Sequence, residues 1–322
     1  MLSGVDTRLP DVPGRLGLGV GMDLLWQSGR IGFLRSAEAD RVSAPVKAFI
    51  ERYGTELSHL FIAYQPRTRG KLHAADYFEA YDDIFDAASA IGTRAFHHTL
   101  LNLGALTAYD RAPIFEFTNA LIDRYGFSWV VEDLGIWSLD GKSLPYPLPP
   151  LLTLDGLRAA VDATRECQQS LACPLVVEFP GFTEGASFYL GEMDAFDFFR
   201  RVVEETGSPA TIDTGHVLSY QWIRGRQTDF LRGLERLPLE QCFEVHLSGS
   251  QISKGKFRDT HHGVLLDEQL DVLEYLLENC PNLRAVTYED PKFDDNGVLI
   301  AKSLPNFVRL RQMVEAWRLR SC

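Results

Sequence analysis

The 322 residues carry 32 Lys and Arg against 44 Asp and Glu, a net charge of −12, and 45% of them are hydrophobic. That apolar share suits a globular chain with a sizeable core, while the excess of carboxylates argues against a nucleic-acid or anionic-membrane partner, both of which need clustered Lys and Arg. No apolar run approaches the roughly 18 residues of a membrane helix, and the five scattered cysteines, Cys167, Cys173, Cys242, Cys280 and Cys322, lack C-x-x-C spacing and fit reduced thiols in a cytoplasmic protein.

Residues 1–15 show no charged segment followed by a long apolar one and read as a flexible leader. Residues 16–322 then form a single domain. Within it, eight β-rich runs alternate with segments of helical period: 16–26, 57–65, 92–100, 127–137, 174–181, 209–218, 242–249 and 284–291. The intervening stretches are amphipathic. In DAFDFFRRVVEETG, Phe196, Phe199, Val202 and Val203 recur at helical spacing before Gly207 offers a C-cap; Leu270, Leu273, Leu276 and Leu277 repeat the pattern, and Phe307, Leu310, Met313, Val314 and Trp317 close the chain. Eight such units predict an α/β fold, a TIM-type (β/α)8 barrel. The Pro-rich stretch SLPYPLPPLLT (143–153) reads as a loop after the fourth strand.

A parallel strand buried on both faces should be nearly all apolar, so ionisable residues at its end need a reason. From the third run onward almost every one has them: His97 and His98, Glu132 and Asp133, Glu178, Asp213 and His216, His246, then Glu289 and Asp290, with Asp259 and His261 in the loop RDTHHG after the seventh. Taken singly, a buried Glu or His at a strand end is an ordinary hydrogen-bonded residue. Recurrence on successive strands changes that, because the C-terminal strand ends of a barrel converge on one face. So many carboxylates at close range raise one another's pKa unless positive charge compensates, and bound metal ions would supply it. One catalytic ion takes about three protein ligands, so two or three ions are implied, and a thiolate-free set suits iron, manganese or zinc. His59 and His73 have no such company and read as surface residues. His98 and His262 each adjoin another histidine, and neighbours in extended backbone point to opposite sides, so one of each pair is a ligand candidate.

In chain order, over about 92–291 and with similar spacing, RAFHHTLLN, VVEDLGIWS, VVEFPG, TIDTGHVLS, EVHLSG, RDTHHG and VTYED resemble the motifs of the DUF692 family of multinuclear non-haem iron-dependent oxidases. The resemblance implies a barrel holding two or three iron ions, with His97, Glu178, Asp213, His246, Asp259, His261 and Glu289 as ligands. It also selects His97 over His98 and His261 over His262. Asp133 stands where the family usually has a histidine and His216 where it usually has an asparagine; both residue types coordinate iron, which completes the metal set. Members use O2 to oxidise a cysteine or other residue of a ribosomal precursor peptide, or a small amino-acid-derived substrate, in natural-product biosynthesis. Many need a small partner protein that presents the peptide. From the residues alone, a manganese- or zinc-dependent barrel of the sugar isomerase or endonuclease IV type stays open, although the net charge speaks against a nuclease.

Overall fold

The computed structural model describes residues 9–12, 14–22, 36–63, 72–182 and 188–320. Residues 1–8 and 13 of the expected leader, and residues 23–26 and 64–65 of the first two expected strands, lie outside the described residues. Eight parallel strands close into a barrel in the order β1, β12, β9, β8, β7, β4, β3, β2. They are β1 (Gly17–Met22), β2 (His59–Ile62), β3 (Thr93–His98), β4 (Trp129–Asp133), β7 (Leu175–Glu178), β8 (Ala210–Asp213), β9 (Cys242–Leu247) and β12 (Ala285–Glu289). Each falls inside one expected run. Helices α1 (Ser36–Tyr53), α2 (Ala75–Ala87), α3 (Ala112–Tyr125), α4 (Leu154–Ser170), α5 (Ala195–Thr206), α6 (Thr214–Ile223), α7 (Asp267–Asn279) and α8 (Leu304–Leu319) alternate with them. No helix among the described residues is long and apolar enough to cross a membrane.

The period of two sorts each strand. Leu60, Ile62, Phe96, Val130, Leu175, Val177, Val245 and Val286 join the helices in one large apolar cluster, and Phe61, Ala95, Trp129, Val131, Val176 and Ala285 form a separate cluster inside the barrel. The sequence GLGVGM of β1 contributes no side chain at two inward positions. A Cβ on Gly19 would lie 2.3 Å from His59 Nε2, and one on Gly21 would lie 2.0 Å from Phe61 Cζ, so the two rings fill the space that the glycines leave.

Three expectations are corrected. The run 209–218 is not one strand: β8 ends at Asp213, whose carboxylate caps α6 by accepting from His216 N at 2.7 Å, so His216 sits in the first turn of a helix. Part of the Pro-rich stretch is strand, because β5 (Ile136–Leu139) and β6 (Lys142–Leu148) pair as a separate antiparallel hairpin, whose free edges tolerate proline. The loop after the seventh strand likewise contains a hairpin, β10 (Ser250–Ser253) with β11 (Lys256–Asp259), and Asp259 is its last residue.

Candidate metal centre

Five buried carboxylates, Asp133, Glu178, Asp213, Asp259 and Glu289, meet the imidazoles of His97, His216 and His246 at the C-terminal ends of the strands. Glu178 is central. Its Oε2 accepts from His97 Nε2 at 2.9 Å and lies 3.3 Å from His246 Nδ1, while Oε1 lies 3.6 Å from His216 Nδ1. His246 Nδ1 is also 3.2 Å from Glu289 Oε1. Asp133 Oδ1 lies 3.6 Å from His216 Nδ1, and Asp259 Oδ2 lies 3.6 Å from His216 Nε2. Because His216 Nδ1 donates to the Phe179 carbonyl at 2.7 Å, the lone pair of the neutral ring is on Nε2, on the side of Asp259. The side chain of Phe179 itself turns away and packs against Phe182, Phe196, Phe199 and Tyr220.

His261 stands at the rim, its side chain 35% exposed, with Nε2 3.7 Å from Asp259 Oδ2 and Nδ1 3.0 Å from Asp290 Oδ2. Asp259 is fixed from its other oxygen by the Ser248 hydroxyl, which donates to Oδ1 at 2.5 Å. Phe61 lies beneath the centre, its ring centroid 5.4 Å from that of His97 and 5.1 Å from that of His246.

The pair His97 and His98 on β3 divides as the alternation predicts, whereas His261 lies in left-handed backbone outside any strand. His98 faces the helices, where Nε2 donates to Thr118 Oγ1 at 2.9 Å and Nδ1 accepts from Leu100 N at 3.0 Å. His262 Nδ1 accepts from Val264 N at 3.2 Å. Glu132, opposite in parity to Asp133, braces the loop after β3 through Leu101 N and Asn102 N, each at 3.3 Å. His73 is exposed, as expected, but His59 is not a surface residue: it is fully buried inside the barrel, with Nε2 2.7 Å from Thr287 Oγ1. Glu244, also fully buried, is a second residue that the strand-end pattern misses; its position two before His246 on the same strand was the available signal.

The electrostatics are those of a site short of positive charge. Burial would raise the Glu178 carboxyl, yet His246 and His97 hold it well below the ordinary carboxylate range. Burial would lower His97, but the hydrogen bond and charge of Glu178 raise it to about 9. His246, equally opposed by burial, is raised well above its ordinary value by Glu178, Glu244 and Glu289, and His261 by Asp259 and Asp290. Burial pushes Asp213 up to about 8, with Asp259, Glu289 and Glu178 adding to it against His216. Protons therefore do the neutralising that metal ions would otherwise do.

The donor set fits such ions. His97, Glu178 and His246 form one buried triad, Asp133, Glu178 and His216 a second, and Asp213, His216 and Asp259 a third, with the ligand atoms of each within 4.8 Å of one another. Asp213 Oδ1 is spent on capping α6, whereas its buried Oδ2 has no hydrogen-bond partner. A buried carboxylate oxygen without a partner is costly, and a cation satisfies it. Residues 72–303 match the family described as RiPP precursor modification enzyme MbnB/TglH/ChrH, where RiPP denotes a ribosomally synthesised and modified peptide.

The chain belongs to that family. The match bears out the resemblance drawn from the motifs. Two relatives are both called UPF0276 protein: one from Paraburkholderia phytofirmans, 29% identical over 206 residues, covering 62% of this chain and 64% of that one, and one from Streptomyces avermitilis, 28% identical over 159 residues, covering 49% of this chain and 31% of that one. The matched region thus spans less than two thirds of either relative. Among solved structures, a sugar phosphate isomerase/epimerase from Parabacteroides distasonis aligns over 95% of this chain and 97% of its own with a TM-score of 0.53 at 12% identity, a likeness of fold alone.

Proposed function

We propose that this RiPP precursor modification enzyme is a multinuclear, non-haem iron-dependent oxidase that uses O2 to modify a cysteine or another residue of a precursor peptide, or a small amino-acid-derived substrate. The observation that carries this reading is Glu178, one carboxylate placed between His97 and His246 on one side and Asp133 and His216 on the other. A bridging carboxylate is what two adjacent ions need. His97, Glu178, His246 and Glu289 would hold one ion, and Asp133, Asp213, His216, Asp259 and His261 those beside it. Bound iron supplies the redox chemistry for O2, which these side chains lack.

The chain's own groups do the rest. Phe61 closes the floor against water, and the apolar strand interiors keep the dielectric low, so each ligand charge acts at short range. His261, the most exposed of the ligand candidates, marks the side from which a substrate residue enters. A small partner protein that presents the peptide belongs to this reading, as does a cytoplasmic setting, with which the buried thiols of Cys167, Cys242 and Cys280, none in a disulfide, agree.

Metal analysis of anaerobically purified protein, paired with O2 uptake in the presence of a candidate precursor peptide, tests the proposal. At least two equivalents of iron and peptide-dependent O2 consumption are expected. Stoichiometric zinc with full activity and no O2 requirement would sink it.

A further inference from the structure

One charged layer lies deeper in the barrel than the centre and takes no part in it directly. On β3, β4 and β7 the residues two positions before His97, Asp133 and Glu178 are Ala95, Val131 and Val176, all apolar and buried. On β9 the residue two before His246 is Glu244. A carboxylate in that layer is expensive compared with the aliphatic side chains its neighbours use, so it needs a purpose.

Its partners supply one. Glu244 Oε2 accepts from Trp129 Nε1 at 2.8 Å, and Oε1 accepts from the Thr287 hydroxyl. That hydroxyl has a single proton, so its oxygen must accept from His59 Nε2 at 2.7 Å. Gly19 makes the room for the His59 ring. Three elements thus hold one carboxylate in place, and its Oε1 also lies 3.6 Å from His59 Nε2 and 3.3 Å from His246 Nε2, the latter a close approach without hydrogen-bond alignment. The other ring nitrogen, Nδ1, faces Glu178 and Glu289.

We propose that Glu244 is a positioning residue for the metal centre: it accepts from His246 Nε2–H and so fixes the tautomer in which Nδ1 carries the lone pair that meets the ion. With an ion on Nδ1, a neutral imidazole has one proton to place, and Glu244, which can only accept, favours it on Nε2. The same contact enriches the ring in electron density and makes it a better ligand. This rests on the metal-centre reading above.

The test uses the full chain with 15N-labelled histidine, loaded with zinc as a diamagnetic probe. Long-range 1H–15N spectra of the wild type should show His246 bound through Nδ1 and protonated at Nε2. In Glu244→Gln, one amide oxygen faces three donors, from Trp129, Thr287 and His246, and the NH2 must oppose one of them. Zinc affinity measured by chelator competition should fall roughly 10–100-fold, and the single-tautomer signature of His246 should be lost. Glu244→Asp keeps the charge but withdraws it by one methylene; the same losses are expected, and it stands in if the Gln variant does not fold. Wild-type His246 bound through Nε2 would overturn the inference, as would folded variants with unchanged affinity and unchanged ring signals. A wild type that takes up neither zinc nor iron would instead remove the metal-centre reading, and this assignment with it.

Discussion

His261 and Asp290 hold each other across the rim of the centre: Nδ1 lies 3.0 Å from Oδ2, and both residues have left-handed backbone at φ +46°. A non-glycine residue in that region costs about 1–2 kcal/mol, and the pairing keeps two of them there. The result is that His261 Nε2 is turned toward Asp259.

Asp290→Gly separates the strain from the pairing. Glycine adopts the backbone freely, so the metal-free protein should melt within a few degrees of wild type. His261 loses its orienting acceptor, and metal affinity measured by titration should fall roughly 10–100-fold. Unchanged affinity would show that the ring needs no support.

Adjacent histidines should behave unequally. His261→Ala removes a group facing Asp259, whereas His262→Ala removes a ring whose Nδ1 accepts from the backbone of Val264. Metal content should drop sharply in the first variant and stay near wild type in the second, while the second loses about 1 kcal/mol of stability from the broken hydrogen bond. Equal metal loss would overturn the division.

Asp213 does two jobs with two oxygens. Asp213→Asn retains an acceptor for His216 N, so the cap on α6 survives, but it replaces the unpartnered Oδ2 with an NH2 that cannot bind a cation. Stability of the metal-free form should be kept and metal occupancy lost. Asp213→Ala should lose both, with about 0.5–2 kcal/mol for the cap. Thermal melts beside metal analysis distinguish them.

Proton and metal compete for the same groups. Asp213, pushed up to about 8, and His97, raised to about 9, both hold protons more tightly in the fold than in the unfolded chain. Their contribution to the metal-free fold is therefore lost as pH rises toward those values, His97's from its ordinary value near 6.5 up through about 9. The metal-free protein should melt lower at pH 9 than at pH 6.5, and metal should bind more tightly at pH 9, releasing fewer protons there than at pH 6.5. A melting temperature that rises over this interval would contradict these assignments.

The barrel was legible because each inner strand is a short, dense apolar run, and the centre because its charges stand where those runs end. His59 and Glu244 were not. His59 lies in an apolar run without polar company, and its partner Thr287 comes from the opposite end of the chain; only the closure of β1 between β2 and β12 brings them together. Glu244 shares its parity with His246, so its inward direction could be read, but not the indole and hydroxyl that make its burial tolerable. The start of α6 was hidden because TIDTGH continues a β-like pattern, and the strand stops only because Asp213 turns its side chain to the helix amides.

Asp259 reaches the centre on a two-stranded ribbon outside the barrel wall, where Lys256 and Arg258 face solvent while Phe257 and Asp259 face inward. A slip of one residue in that ribbon would bring Arg258 to the position of Asp259. It would replace an anion with a guanidinium beside His216, so the spacing of ten residues, from Ser250 to Asp259, acts as a length gauge. A single insertion at its tip would reverse the sign of the charge offered to the centre, and a single deletion would bring the neutral Thr260 there instead.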